Sequence, residues 1–197
     1  MEVRNPQQER AKEKKRKILE AGYELFAQNG YFSTNTAEIA KRAGVSTGIV
    51  YGYFRDKRDI LIDVLDIYVE HAYQPVFAVL DKVAAPLDYH ALIPEVLDAA
   101  VETHRQNSAI HESLHSLTHV DEVVADKFMA LEKEVTHRMV CRLQQAGCNK
   151  DHLPERVHWA MQSIQSYAHE CVFDRHDYID YDEMRRLVES ILFALFC

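Results

Sequence analysis

Apolar residues recur along most of this chain with the three- and four-residue spacing that is typical of amphipathic helices. Between residues 12 and 28 they fall at Ile18, Ala21, Leu25 and Phe26, after which Asn29-Gly30 can end the helix. The same spacing returns from residue 57, at Ile60, Leu61, Val64, Leu65, Ile67 and Tyr68. The pattern therefore predicts an all-α protein that begins with amphipathic helices.

The second half of the chain also predicts helices almost without interruption. Their expected bounds are roughly 75–84, 89–106, 108–118, 121–146, 154–173 and 181–196. Pro75 is expected to kink or end the helix that begins near Lys57, because proline lacks the N–H that a helix interior requires. The last helix carries a wide apolar stripe of Met184, Leu187, Val188, Ile191, Leu192, Leu195 and Phe196. Such a stripe must be buried, either within its own chain or against a second copy.

Two short helices joined by a tight turn are predicted between Thr36 and Arg55. The residues that can cap them are Asn35 with Glu38 as a capping box, Gly44 after the first helix, and Ser46 before the second. The buried side of the second helix would be formed by Val50 and Phe54. This is the plan of a helix-turn-helix, whose second helix enters the major groove of DNA.

Charge is distributed unevenly along the chain. Residues 1–58 hold 12 Lys and Arg against 7 Asp and Glu, whereas the other 139 residues hold 11 against 24. The net charge of −8 therefore combines a basic N-terminal part with an acidic remainder. A basic part that coincides with a helix-turn-helix favours contact with DNA phosphates. Within it, the run Lys12, Lys14, Lys15, Arg16 and Lys17 can follow phosphates or simply be a solvated helix start.

Composition and sequence motifs argue against membrane-spanning, secreted and enzymatic classes of protein. No apolar run approaches the ~20 residues needed to span a bilayer, and the charged N-terminus does not resemble a signal peptide. Cys141, Cys148, Cys171 and Cys197 show no CxxC spacing, so a reduced cytoplasmic location is expected. The motifs GxSxG and HExxH and the Walker loop are absent. We therefore assign no catalytic residue and expect neither an enzyme nor a cofactor.

One set of residues runs through the turn and the second short helix: Val45, Ser46, Gly48, Tyr51, Tyr53, Phe54 and Lys57. A second set precedes it: Gly30, Tyr31, Thr34, Ile39 and Ala40. Together they resemble the DNA-binding signature of the TetR/AcrR family of bacterial transcriptional regulators, over roughly residues 15–60. The resemblance implies a homodimeric regulator, commonly a repressor that a small molecule releases from operator DNA. It implies a three-helix DNA-binding domain at 1–56, and a helical effector-binding and dimerisation domain at 57–197 that pairs through its last two helices.

The candidates for DNA contact lie in the predicted helix-turn-helix: Thr36, Ser46, Thr47, Gly48, Ile49, Tyr51, Tyr53 and Lys57. Hydroxyl groups and the lysine can bond phosphate oxygens, whereas the first turn of the second helix can contact bases. The family often has Thr or Ser where this chain has Ile49. Isoleucine can pack on a thymine methyl group but cannot hydrogen-bond a base, so an inherited base preference is not assumed.

An effector pocket is expected among the central helices of the body, with aromatic, soft apolar and polar groups. Its candidates are His104, His111, His115, Phe128, Met129, Trp159 and Tyr167. An alternative keeps the DNA-binding domain but makes the effector a metal ion at His111, His115 and His119, which recur every fourth residue. One ion can take two neighbours but not all three without distorting the helix, so no metal ligand is assigned. A helical interaction module or enzyme that never meets DNA is a third class.

Overall fold

The computed structural model describes residues 6–82 and 85–197, which form nine α-helices and no strand. They are α1 (Pro6–Asn29), α2 (Thr36–Ala43), α3 (Thr47–Tyr51), α4 (Lys57–Leu80), α5 (Tyr89–Gln106), α6 (Ser108–Thr118), α7 (Glu122–Gln145), α8 (Leu153–Val172) and α9 (Tyr181–Phe196). The predicted all-α fold is confirmed, and the predicted bounds of α5–α9 agree to within one residue. Within the described ranges, no helix has the length and apolar character needed to cross a membrane.

Helix α4 corrects one prediction, because it runs through Pro75 and ends at Leu80. The separate helix predicted over 75–84 is therefore wrong as far as residue 82, and residues 83–84 lie outside the described part. A proline inside a helix removes one hydrogen bond and crowds the carbonyl four residues earlier. Val76 and Phe77, directly after it, are both buried. Burial of these two side chains favours the helical continuation and offsets the cost of the proline.

The backbone divides into two compact units. The first contains the described residues up to Val69 together with Asn107–Phe128, and the second contains the described residues of 70–106 and Met129–Cys197. The first unit is therefore discontinuous in sequence, since α6 and the start of α7 belong to it. The domain boundary expected after residue 56 stays a prediction.

The core of the first unit is built from the stripes that the sequence predicted. Its fully buried side chains include Ile18, Phe26, Ile39, Val50, Ile60, Leu61, Val64, Leu65 and Ile110. Helix α6 packs against α1. There Tyr23 Oη donates to Asn107 Oδ1 at 2.6 Å, and the Tyr31 N–H donates to Ser113 Oγ at 3.1 Å. Helix α1 also packs against α2, which in turn packs against α3.

The apolar stripe of α9 divides into two faces within the second unit. Leu192 is 2% exposed and Phe196 is buried, its ring stacked on that of Tyr89 with centroids 5.8 Å apart. By contrast, Leu187 and Ile191 are 57% and 47% exposed. The stripe therefore does not act as one surface: Leu192 belongs to the core of its own chain, and the dimer interface expected here can use only the exposed face.

Candidate nucleic-acid interface

Helix α2 begins and ends at the residues that the sequence predicted. The Asn35 side chain accepts hydrogen bonds from the N–H groups of Ala37 and Glu38, both at 3.0 Å. The Glu38 carboxylate accepts in turn from the Asn35 N–H at 3.0 Å, which completes the capping box. Gly44 follows the helix with φ 67° and ψ 33°, a left-handed conformation that a side chain disfavours. Local residues therefore set the direction of the turn.

Helix α3 is a single short helix held by a cap and by two core anchors. Ser46 Oγ accepts a hydrogen bond from the Ile49 N–H at 3.4 Å. Val50 and, just after the helix, Phe54 are buried in the first unit. Because these anchors fix one side of α3, its other side is open to solvent. The exposed residues of the predicted contact set are Ser46, Thr47, Gly48 and Tyr51, while Thr36, Ile49, Tyr53 and Lys57 are half-buried.

Gly48 lies on the open side of α3, and packing within the protein does not require a glycine there. A Cβ placed on Gly48 would meet only Ser46 Oγ, at an ordinary contact distance of 3.9 Å. The absent side chain therefore leaves the helix backbone accessible to a second molecule. A close approach of the α3 backbone to DNA at Gly48 is compatible with this open space and stays a prediction.

Two residues of the predicted contact set are joined by a hydrogen bond. Thr36 Oγ1, at the start of α2, lies 3.0 Å from Tyr51 Oη, at the end of α3. The two hydroxyl groups therefore form one polar point on the exposed side of the helix-turn-helix. Either hydroxyl can donate its proton to a phosphate oxygen while it accepts the hydrogen bond that the other hydroxyl donates.

Lys57 makes its described contacts inside the protein. Its ammonium donates to the carbonyl oxygens of Tyr31 and Thr34, both at 2.7 Å, and lies 4.2 Å from the centroid of the Tyr31 ring. Burial lowers the pKa of Lys57 below its usual range. An ammonium has three N–H donors, so these two carbonyls still leave capacity for a phosphate. Sequence reasoning missed this role, because every residue carries a carbonyl and no pattern marks the two that are used.

Several basic side chains of the first unit are paired with carboxylates. Lys15 with Asp63, Arg42 with Glu24, and Arg55 with Asp59 each form an ion pair at 2.7 Å. Exposed ion pairs of this kind contribute little to stability. The basic side chains can therefore exchange their carboxylate partners for DNA phosphates at little cost. The ion pairs are thus compatible with DNA contact by the basic N-terminal part.

Arg58 and Asp121 join the start of α4 to the start of α7 within the first unit. Arg58 Nη2 donates to Asp121 Oδ1 at 2.7 Å, and its Nε donates to Oδ2. Asp121 Oδ1 also accepts from the N–H groups of Val123 and Val124, at 3.1 and 3.2 Å, and so caps α7. The Arg58 guanidinium, aided by these N–H groups, lowers the pKa of Asp121 to about 2. The pair is 63 residues apart in sequence, and only the capping role of Asp121 has a local signal.

The effector candidates of the second unit lie in different places. Met129 and Trp159, both exposed, line a cleft of about 620 Å³ between α7 and α8. Tyr167 is buried and lines another cleft, formed with α5 and α9. His104 is buried on α5, where its Nδ1 donates to the Ala100 carbonyl at 2.8 Å. The structure therefore brings Met129 and Trp159 together in one cleft, whereas His104 and Tyr167 lie elsewhere.

The remaining candidates belong to the first unit. His111 Nδ1 lies 2.8 Å from Tyr68 Oη, Phe128 is half-buried and His119 is exposed. The side chain of His115 lies outside the described part. Within the described side chains, no group of three or more His, Cys, Asp or Glu residues is arranged to hold a metal ion. The metal-responsive alternative stays an untested hypothesis.

Sequence comparison connects this site to known regulators. Residues 18–64 match the family model described as bacterial regulatory proteins, tetR family. The HTH-type transcriptional regulator HbdR of Aromatoleum sp. (strain CIB) is 35% identical over 109 residues, which cover 50% of this chain and 46% of that protein. The match therefore spans less than half the length of the relative.

Solved structures share the fold over nearly the whole chain. A transcriptional regulator from Rhodococcus sp. Rha1 has a TM-score of 0.63 at 15% identity, covering 92% of this chain and 95% of its own. The fatty acid degradation regulator FadR from Bacillus halodurans has a TM-score of 0.61 at 16% identity, covering 99% and 97%. At such low identity the likeness shows the fold alone.

Proposed function

We propose, from the premise that this chain belongs to the TetR/AcrR family of transcriptional regulators, that it is a cytoplasmic repressor which a small molecule releases from operator DNA. The observation that carries the proposal is the open side of α3, anchored from behind by Val50 and Phe54 and flanked by the Thr36–Tyr51 hydroxyl pair. In this arrangement α3 enters the major groove and the hydroxyl pair binds a flanking phosphate. The same premise argues against an enzyme.

Base recognition would come from the first turn of α3. Thr47 is exposed and its hydroxyl can donate to or accept from a base edge. Ile49 is half-buried, so part of its side chain is available for contact with a thymine methyl group. We infer that the operator half-site contains a thymine opposite Ile49.

A dimer would form through α8 and α9. Leu187 and Ile191 are four residues apart on α9, so their exposed side chains lie on the same helix face. Burying this face against a two-fold related copy would remove both side chains from water. Two copies could then place their α3 helices in successive major grooves, ~34–36 Å apart.

The effector would bind in the body. The cleft between α7 and α8 combines the Trp159 indole and the Met129 thioether with the carboxylates of Glu132 and Glu155. A flat apolar molecule with a positive or hydrogen-bonding group suits this composition. His104, His111, His115, Phe128 and Tyr167 stay predicted effector contacts.

DNA binding is tested with fluorescently labelled DNA from the region upstream of the coding sequence. We expect this fragment to bind more tightly than a random fragment of equal length, with an affinity that falls as salt rises. Equal affinity for both fragments would contradict operator recognition. Absence of binding to either would contradict the DNA-binding function as a whole.

Effector binding can be followed by intrinsic fluorescence, because Trp159 is the single tryptophan of the chain. A ligand in the cleft between α7 and α8 should change the emission of Trp159 at the concentrations that release the operator fragment. Release without any change in emission would place the effector elsewhere in the body.

A further inference from the structure

A cysteine and a histidine lie together in a cleft of the second unit that the proposed function does not use. His137 and Cys141 are one turn apart on α7, and His137 Nε2 is 3.7 Å from Cys141 Sγ, within hydrogen-bond reach of a sulfur atom. Both side chains line a cleft of about 460 Å³ between α4 and α7, and His137 also borders the cleft between α7 and α8. The structure therefore places a nucleophile and a base side by side in a space that fits a small molecule.

The walls of this cleft are fixed by charged pairs that bridge α4 and α7. Arg138 pairs with Glu70 at 2.8 Å, and its guanidinium lies 4.3 Å from the centroid of the Phe77 ring. Arg142 pairs with Asp81 at 3.2 Å. The aromatic ring gives the cleft an apolar wall, and the guanidinium groups supply N–H donors. A small molecule with an apolar skeleton and a carbonyl group suits these walls.

We propose that Cys141 is a modification site, at which the thiol adds to small electrophiles of the α,β-unsaturated carbonyl class with His137 as the base. The imidazole Nε2 takes the thiol proton as the sulfur bonds to the β-carbon of the electrophile. The electron pair of the C=C bond moves toward the carbonyl oxygen as an enolate, and the imidazolium returns the proton to the α-carbon. The product is a thioether, and no oxidant or reductant is consumed.

The other cysteines provide internal comparisons. Cys148 is buried, so access limits its reaction, whereas Cys141 and Cys171 are both half-buried. Cys197 is exposed, and among the described residues no imidazole lies within hydrogen-bond distance of its sulfur. A thiol that reacts through exposure alone would make Cys197 the fastest. A thiol that reacts through its base would make Cys141 the fastest.

The test uses N-ethylmaleimide, a member of the electrophile class, at limiting concentration on the full chain. After quenching and digestion, mass spectrometry gives the labelled fraction of each cysteine against time. At pH 7 we expect Cys141 to react at least ~10-fold faster than Cys197, since general bases contribute this much or more. Equal rates, or a faster Cys197, would overturn the proposal without any variant.

The variant His137→Gln separates a base from a structural neighbour. At pH 7 it should lower the Cys141 rate to that of the more exposed Cys197 or below. Near pH ~10, where an unassisted thiol is already ionised, the variant and the parent should react alike. His158→Gln alters another histidine of the cleft between α7 and α8, which Cys141 does not line, and should leave the Cys141 rate unchanged. An unchanged rate in His137→Gln at pH 7, or a loss that persists at high pH, would overturn the role of His137.

Discussion

The hydroxyl oxygens of Thr36 and Tyr51 lie 3.0 Å apart, so the first residue of α2 and the last residue of α3 share a hydrogen bond. The two residues come from different helices, and both lie where the helix-turn-helix is open to solvent. Neither hydroxyl is needed to fill the core. Their common position therefore favours a joint contact with one phosphate over two separate contacts.

Thr36→Val and Tyr51→Phe should each weaken operator binding by about 10-fold, because each removes one hydroxyl from the pair. The double variant should be little weaker than either single variant, since the two act as a unit. Anisotropy titrations of labelled DNA measure all three affinities. Tyr178→Phe, a control that alters an exposed tyrosine of the second unit, should bind normally. Fully additive losses would show two independent contacts.

Gly48→Ala should separate stability from function. Alanine should raise the free energy of unfolding by ~0.5 kcal/mol, because it favours the helix and meets no close atom in the protein. The same methyl group should weaken DNA binding if the α3 backbone approaches the groove closely. Urea unfolding and anisotropy measure the two effects. Operator affinity equal to that of the parent would refute the close approach.

Lys57→Met should both weaken DNA binding and lower stability. The carbonyls of Tyr31 and Thr34 lose their donor, which should cost ~1 kcal/mol in the free energy of unfolding. Loss of one phosphate contact should also reduce the slope of log affinity against log salt by ~1. Urea unfolding and a salt series measure the two quantities. Lower stability with an unchanged slope would confine Lys57 to its structural role.

Two neighbouring residues of α9 should respond differently to the same substitution. Ile191→Glu should give a folded monomer, because it places a charge in the proposed interface while leaving the core intact. Leu192→Glu should instead destabilise the chain itself, because a carboxylate would replace a side chain that is 2% exposed. Light scattering gives the mass, and circular dichroism gives the helix content. A folded dimer of Ile191→Glu would move the interface to another surface.

Asp121 should make stability depend on pH in the acid range. Its pKa is lowered from 3.8 to about 2, so the folded state favours the carboxylate. The stabilisation is present above the unfolded value and is lost as pH falls from about 4 toward 2. Asp121→Asn should remove this dependence but keep an oxygen that caps α7, whereas Asp121→Ala should lose ~1 kcal/mol more. Urea unfolding between pH 2 and 5 checks both. Identical pH profiles for Asp121→Asn and the parent would show that the pair with Arg58 does not contribute.

The sequence predicted features that depend on residues close together in the chain. The capping box of Asn35 and Glu38, the left-handed Gly44 and the cap at Ser46 are each decided within three or four residues. The helix end predicted at Pro75 was wrong, because burial of Val76 and Phe77 outweighs a local preference. Such burial depends on the rest of the fold, which a local rule does not contain.

Prediction of the candidate site from the sequence was limited in the same way. The exposed residues of α3 were predicted, because Val50 and Phe54 mark the opposite side by their spacing. The bonds from Lys57 to two distant carbonyls were not predicted, because each backbone carbonyl looks alike in a sequence. Likewise the apolar stripe of α9 showed that the helix is buried, but not that Leu192 would face its own chain.

The discontinuity of the first compact unit restricts how this protein can be recombined with its relatives. A fragment that ends at Val69 would lack α6, and with it the buried Ile110 and the partners of Tyr23 and Tyr31. In a chimera joined at that point, α1 would come from the relative and α6 from this chain, and their packing surfaces would not be matched. Exchange of DNA specificity between relatives therefore requires α6 to travel with the N-terminal helices, whereas substitutions on the open side of α3 leave this packing untouched.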